Sequence, residues 1–180
     1  MDSHYDLPKL PFGRAVLDDH LIPFQAAIAA GVDTIMTAHI IVEIIDPDYP
    51  ATLSSAVLTG LLRYHLGFDG LIVTDAMNMN AIASHFDVGR AAVMAVRAGA
   101  DVVMSAGESE DLVAMQQALL QAVQAGQIGE ERIEALVRRV LGLKLRYGLF
   151  EEVAYYVDAA QAAEIGGNDE HIEHRDSEGV

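Results

Sequence analysis

Gly70-Leu71-Ile72-Val73-Thr74-Asp75-Ala76-Met77-Asn78-Met79 is the stretch that decides the fold of this chain. Three consecutive β-formers stand between a glycine and a carboxylate, and the sequence then turns helical. An uninterrupted apolar run of this kind predicts a strand covered on both faces, which is the habit of parallel sheets in α/β proteins. In such folds the groups that meet ligands sit at the carboxyl ends of the strands, and Asp75 stands at one.

Working outward, the same unit occurs three times. An Ala-rich helical pattern leads into Gly-x-Asp and a β run at Gly31-Val32-Asp33, Gly67-Phe68-Asp69 and Gly99-Ala100-Asp101. The spacing suits a βαβ repeat of 30 or so residues, and each glycine falls where a helix ends in a left-handed residue. Three parallel strands are therefore expected, ending at Thr37-Ala38-His39, Thr74-Asp75-Ala76 and Ser105-Ala106-Gly107. Any active site should be assembled from those ends.

The rest of the pattern is helical and loop-like. Residues 1–13 read as a Pro-punctuated loop, and 14–30 as a helix that Pro23 should kink or break. Residues 40–50 read as a loop, after which Ser54 caps a helix to about Leu66. A helix over 79–98 is expected to break near Phe86 and be recapped by Asp87, and further helices cover 108–125 and 130–147. In the last of these Ile133, Leu136, Val137, Val140, Leu141 and Leu145 form one apolar face with arginines opposite.

The 180 residues carry 11 Lys and Arg against 27 Asp and Glu, a net charge of −16, with no cysteine. Disulfides and thiolate sites are thereby excluded, and the acidity argues against a phosphate-backbone partner. Half of the net charge lies in residues 151–180, where nine acids face Arg175 alone. This segment is expected to be an acidic, partly disordered tail to a domain over 1–150. No apolar run is long enough to span a membrane, no secretory leader opens the chain, and the compartment stays open.

A carboxylate at a buried strand end has several uses: glycosyl nucleophile, metal ligand, phosphate acceptor or helix N-cap. Metal ligation lacks close His or acidic spacing around Asp75, and His171 and His174 fall in the acidic tail, so no metal or cofactor is expected. Phosphate acceptance, as in a receiver domain, wants an acidic pair and a lysine after the last strand; Lys9 and Lys144 are both misplaced for it. Asp2-Ser3-His4 adds a carboxylate two residues from an imidazole, a pair suited to general acid and base work or to a frayed chain end. His20, His65 and His85 read as helix-surface residues.

Taken together and in order, Asp2-Ser3-His4-Tyr5, residues 23–39 (Pro-Phe-Gln-Ala-Ala-Ile-Ala-Ala-Gly-Val-Asp-Thr-Ile-Met-Thr-Ala-His), Pro50-Ala51-Thr52-Leu53-Ser54, residues 66–77, Arg138-Arg139-Val140-Leu141-Gly142-Leu143-Lys144 and Gly148-Leu149-Phe150 resemble glycoside hydrolase family 3. The likeness is to its β-N-acetylhexosaminidase (β-N-acetylglucosaminidase) branch, on Thr-Asp-Ala-Met and the Asp-Ser-His loop. It implies a (β/α)8 barrel, of which this chain holds a C-terminal part with three strands, and a retaining mechanism through a covalent glycosyl-enzyme. It further implies Asp75 as nucleophile, His4 as acid/base with Asp2 as its partner, and His39 and Met77 at the sugar site. The substrate implied is a terminal β-linked N-acetylglucosamine, as in peptidoglycan turnover. The family's Lys-His-Phe-Pro-Gly-His-Gly segment is expected ahead of Asp2, so this reading is of a truncated barrel with impaired activity. Its open sheet is expected to be met by a complementing chain or by self-association. The alternative is an inactive α/β piece.

Overall fold

The structure is a computed structural model, and it describes residues 2–150; the acidic segment 151–180, with His171 and His174, lies outside the described residues. Three parallel strands form the central sheet in the order β2-β4-β5: β2 is Thr34–Met36, β4 Leu71–Ala76 and β5 Val102–Met104. The order follows the chain without reversal, as in successive βα units of a barrel, whereas a doubly wound sheet reverses at its ligand site. Among the described residues the sheet does not close, and β2 and β5 keep their outer edges. Two short strands that the sequence did not announce, β1 (Lys9–Leu10) and β3 (Ile41–Val42), pair in parallel inside segments expected to be loops.

The helices fall close to their expected places. They are α1 (Arg14–Ala29), α2 (Asn80–Ala83), α3 (Val88–Ala98), α4 (Ser109–Gln124) and α5 (Glu130–Arg146), with a π-type helix over Ala56–His65 between β3 and β4. The break near Phe86 is present, and Asp87 recaps α3 by accepting the amide of Arg90 at 3.0 Å. Ser54 Oγ accepts the amide of Val57 at 3.3 Å and donates to Asp46 at 2.6 Å, tying that helix start to the preceding loop. The three repeat glycines take φ of +81°, +69° and +128°, the left-handed region that a side chain resists.

Two expectations are corrected. Helix α1 runs unbroken through Pro23, because the residue sits on the exposed side, where water can serve the carbonyl that loses its N–H partner. In α5 the inner face is not the full apolar stripe: Val137, Leu141 and Leu145 are exposed, while Arg132 and Arg139 turn inward. The reason is Asp101, fully buried at the start of β5, which accepts Ile72 N at 3.0 Å and pairs with Arg63, Arg132 and Arg139. A lone carboxylate there would be costly, so the helix presents its guanidinium groups to it. Asp33 holds Arg146 and Tyr147 in the same way, and this bond to Asp33 raises the Tyr147 hydroxyl above its ordinary pKa.

The core lies between the sheet and helices α3 and α4. Ile72, Met77, Ile82 and Leu58 are fully buried there against Ala91, Ala92, Ala95 and Ala100. The small side chains let α3 lie close to its neighbours, and each large apolar residue stabilises the fold by about 1.5–3 kcal/mol. This packing fixes the far ends of the strands, where the chemistry-bearing residues collect.

Candidate active site

Asp75 is the fifth residue of β4, half-buried, with its neighbours Thr74 and Ala76 buried. It does not cap a helix: α2 begins after Met79, which has an extended backbone and no side-chain cap. The strand is irregular at this point. Val73 pairs with Val102 and Ala76 with Met104, so β4 carries one extra residue beside Asp75. Thr74 Oγ1 fills the gap in the ladder by accepting the amide of Met104 at 2.9 Å. An extra residue of this kind bends a strand and re-aims a side chain. The Asp75 Oδ1 atom accepts the amide of Ala76 at 2.7 Å.

The Asp-Ser-His loop folds into a tight turn, with Tyr5 N donating to Asp2 O at 3.1 Å. Asp2 Oδ1 accepts the backbone amide of His4 at 2.9 Å and lies 2.7 Å from His4 Nδ1. These bonds, led by the one to the His4 amide, hold the exposed Asp2 carboxyl below its ordinary pKa. A carboxylate only accepts, so Nδ1 carries the proton and Nε2 is the nitrogen left for acid/base work. The loop is moored to the helix that follows Asp75: Asn80 Nδ2 donates to His4 O at 3.0 Å and Ala81 N to Ser3 O at 3.3 Å. Contacts between the first residues of the described chain and Asn80 and Ala81 thus place the Asp2–His4 pair on the element next to Asp75.

His39 and Met77, expected at the sugar site, have no exposed surface. Met77 is part of the apolar core beneath the strand end. His39 spends both ring nitrogens internally, Nδ1 on Thr52 Oγ1 at 2.9 Å and Nε2 on Ala76 O at 3.0 Å. Burial lowers its pKa, against the opposing effects of the Ala76 carbonyl and the Asp75 charge. His20, His65 and His85 are exposed on or beside helices, as expected; His20 stacks on Phe12. Among the described residues no three His, Asp or Glu side chains converge as a metal site would require.

Sequence reading missed Asn80, Thr74, Thr52 and Asn78, whose Oδ1 accepts the amide of Ala106 at 2.9 Å and links the ends of β4 and β5. Polar residues just beyond a strand end are a weak signal, since turns use the same types.

A carboxylate at the end of a parallel strand, with an Asp–His pair held on the helix that follows it, offers the residue types that a nucleophile and an acid/base partner require. The chain belongs to glycosyl hydrolase family 3: residues 1–143 match the model of that family's N-terminal domain. Its fold is similar to a family 3 β-N-acetylglucosaminidase from Paenibacillus sp. str. FPU-7, at 48% identity and a TM-score of 0.83 over 86% of this chain and 30% of that one. A β-hexosaminidase of Alkalilimnicola ehrlichii is 36% identical over 115 residues, 63% of this chain and 33% of the relative. A probable β-glucosidase C of Aspergillus oryzae is also 36% identical, over 93% of this chain and 27% of the relative. The chain thus spans about a third or less of the relatives it matches here.

Proposed function

We propose that this chain carries the catalytic residues of a β-N-acetylhexosaminidase, acting on terminal β-linked N-acetylglucosamine by a retaining mechanism. The observation that supports this reading over a β-glucosidase is the Asp2–His4 pair moored to the helix after Asp75, together with the 48% identity to a β-N-acetylglucosaminidase. The Asp75 carboxylate attacks the anomeric carbon while the bond to the leaving oxygen breaks, and His4 Nε2–H gives that oxygen its proton. A glycosyl ester on Asp75 results. Neutral Nε2 then takes a proton from water, the water oxygen bonds to the anomeric carbon, and the ester bond to Asp75 breaks. Two displacements on one carbon return the β configuration.

The sheet, open among the described residues, bears on how much of this the chain performs alone. Activity of the isolated chain is impaired in this reading, and a complementing chain or a second copy completes the sugar site.

Hydrolysis of 4-nitrophenyl N-acetyl-β-glucosaminide tests the function, with Asp75→Ala as control and the corresponding glucoside as competitor. Turnover of the N-acetyl substrate that Asp75→Ala abolishes supports it. Preference for the glucoside, or turnover surviving Asp75→Ala, refutes it. Light scattering during size-exclusion separates a self-associated species from a monomer.

A further inference from the structure

Strand β2 stops making backbone bonds to β4 too early to support Asp75. The last is Thr37 N to Val73 O, at 2.8 Å, and two residues later the ladder on that side has run out. His39 continues it with a side chain. Its Nε2 meets the carbonyl of Ala76, while the amide of the same peptide, that of Met77, donates to Met104 O at 2.9 Å from the β5 side. The Ala76–Met77 peptide is therefore gripped from both flanks. The amide on the other side of Ala76 is the one that Asp75 Oδ1 accepts at 2.7 Å.

The imidazole is itself fixed by counting protons. A carbonyl only accepts, so Nε2 bears the hydrogen and, in the neutral ring, Nδ1 must accept. In the neutral ring Thr52 Oγ1, 2.9 Å from Nδ1, supplies that hydrogen rather than spending it on the Ala38 carbonyl 3.0 Å away, and Thr37 Oγ1, 2.9 Å from Thr52 Oγ1, donates to Thr52 in turn. No buried side-chain polar atom among the described residues is left without a partner.

We propose that His39 is a positioning residue: held by Thr52 and Thr37, it clamps the Ala76 carbonyl and so fixes the direction in which Asp75 presents its carboxylate. This rests on Asp75 being the nucleophile. It assigns His39 no contact with the sugar, and it gives the two threonines a part in the site that their burial conceals.

Two substitutions separate positioning from packing. Gln places an amide N–H as many bonds from Cβ as His Nε2 and can still reach Ala76; Asn stops at the Nδ1 position and can reach only Thr52. In the full 180-residue chain, His39→Asn should lower kcat on the 4-nitrophenyl substrate by about 10²-fold with KM nearly unchanged, the scale expected when a reacting group is misdirected by about 1 Å. His39→Gln should restore most of that loss. In ¹³C-Asp-labelled protein the Asp75 carboxyl resonance should move in His39→Asn and return in His39→Gln, and ¹⁵N-His spectra of the wild type should show a single Nε2–H tautomer. Equal behaviour of Asn and Gln in rate and in the Asp75 resonance, or an Nδ1–H tautomer, overturns the proposal. Should the isolated wild type hydrolyse nothing, its sugar site needs the complementing chain, and the resonance and the tautomer decide the clamp without a rate. Should His39→Asn not fold, Thr52→Val takes its place: a displaced Asp75 resonance and loss of the single tautomer support the clamp, and unchanged spectra sink it.

Discussion

The carboxylate of Asp101 lies against the guanidinium of Arg63, 38 residues earlier, and the Asp101 side chain has no exposed surface at all. Arg63 also donates to the carbonyls of Phe68, at 2.7 Å, and Gly70, at 2.5 Å, so one arginine joins the starts of β4 and β5. With Arg132 and Arg139 on the other oxygen, three cations depend on a single anion. Asp101→Asn should therefore cost about 3–5 kcal/mol, the scale of breaking a buried pair by removing one partner. Urea unfolding followed by circular dichroism measures it; a loss under 1 kcal/mol would mean that the cluster is dispensable.

Gly70 is required for contact rather than for its backbone angle. A Cβ there would stand 2.4 Å from the carbonyl oxygen of Asp33 and 2.6 Å from the ring of Phe68. Gly70→Ala should separate β2 from β4 and destabilise the chain by about 1–3 kcal/mol, the usual range for overpacking. The midpoint of a thermal melt is the check, and an unchanged midpoint would show that the strands yield freely.

Asn80 moors the Asp2–His4 loop through an exposed bond, so its loss should spare the fold and harm the chemistry. Asn80→Ala is expected to change stability by no more than about 1 kcal/mol. Its kcat/KM, which stops at formation of the glycosyl-enzyme and so leaves out the later step in which His4 acts as base, should fall on a glycoside with a poor leaving group, which needs a proton from His4, and hold on the 4-nitrophenyl substrate. Equal effects on both substrates would detach the loop from acid catalysis.

His39 gives the stability a pH dependence of predictable sign. Burial depresses its pKa in the folded state, while the unfolded side chain titrates near 6.5. The contribution is thus complete above about pH 6.5 and is lost as pH falls below it, because the unfolded chain takes up the proton more readily. Asp2, also depressed, acts in a separate window, lost only as pH falls through about 4 and below. Urea midpoints at pH 8 and 5.5 should differ in the wild type and converge in His39→Gln; equal slopes in both would remove His39 as the cause.

The legible parts of this fold were those written in local pattern. Gly31, Gly67 and Gly99 announced three helix ends, and the apolar run before Asp75 announced a buried strand, because left-handed glycines and β-runs report on their own backbone. Helix α5 misled for the opposite reason. Its sequence sets an apolar stripe on one face with arginines opposite, but the buried charge of Asp101 outweighs part of that stripe and draws Arg132 and Arg139 inward. The short β1–β3 pair escaped because two residues carry no detectable period.

At the site, sequence determined which residues are chemically able to act, Asp75, His4 and Asp2, and the order in which parallel strands would bring their ends together. Tertiary structure alone decided that Asn80 holds the His4 loop, that the extra residue in β4 lies beside Asp75, and that His39 faces the Ala76 carbonyl instead of the solvent. Spacing along one chain fixes what a residue is and which element carries it; a hydrogen bond between residues 37 or 76 positions apart exists only once packing has chosen the geometry.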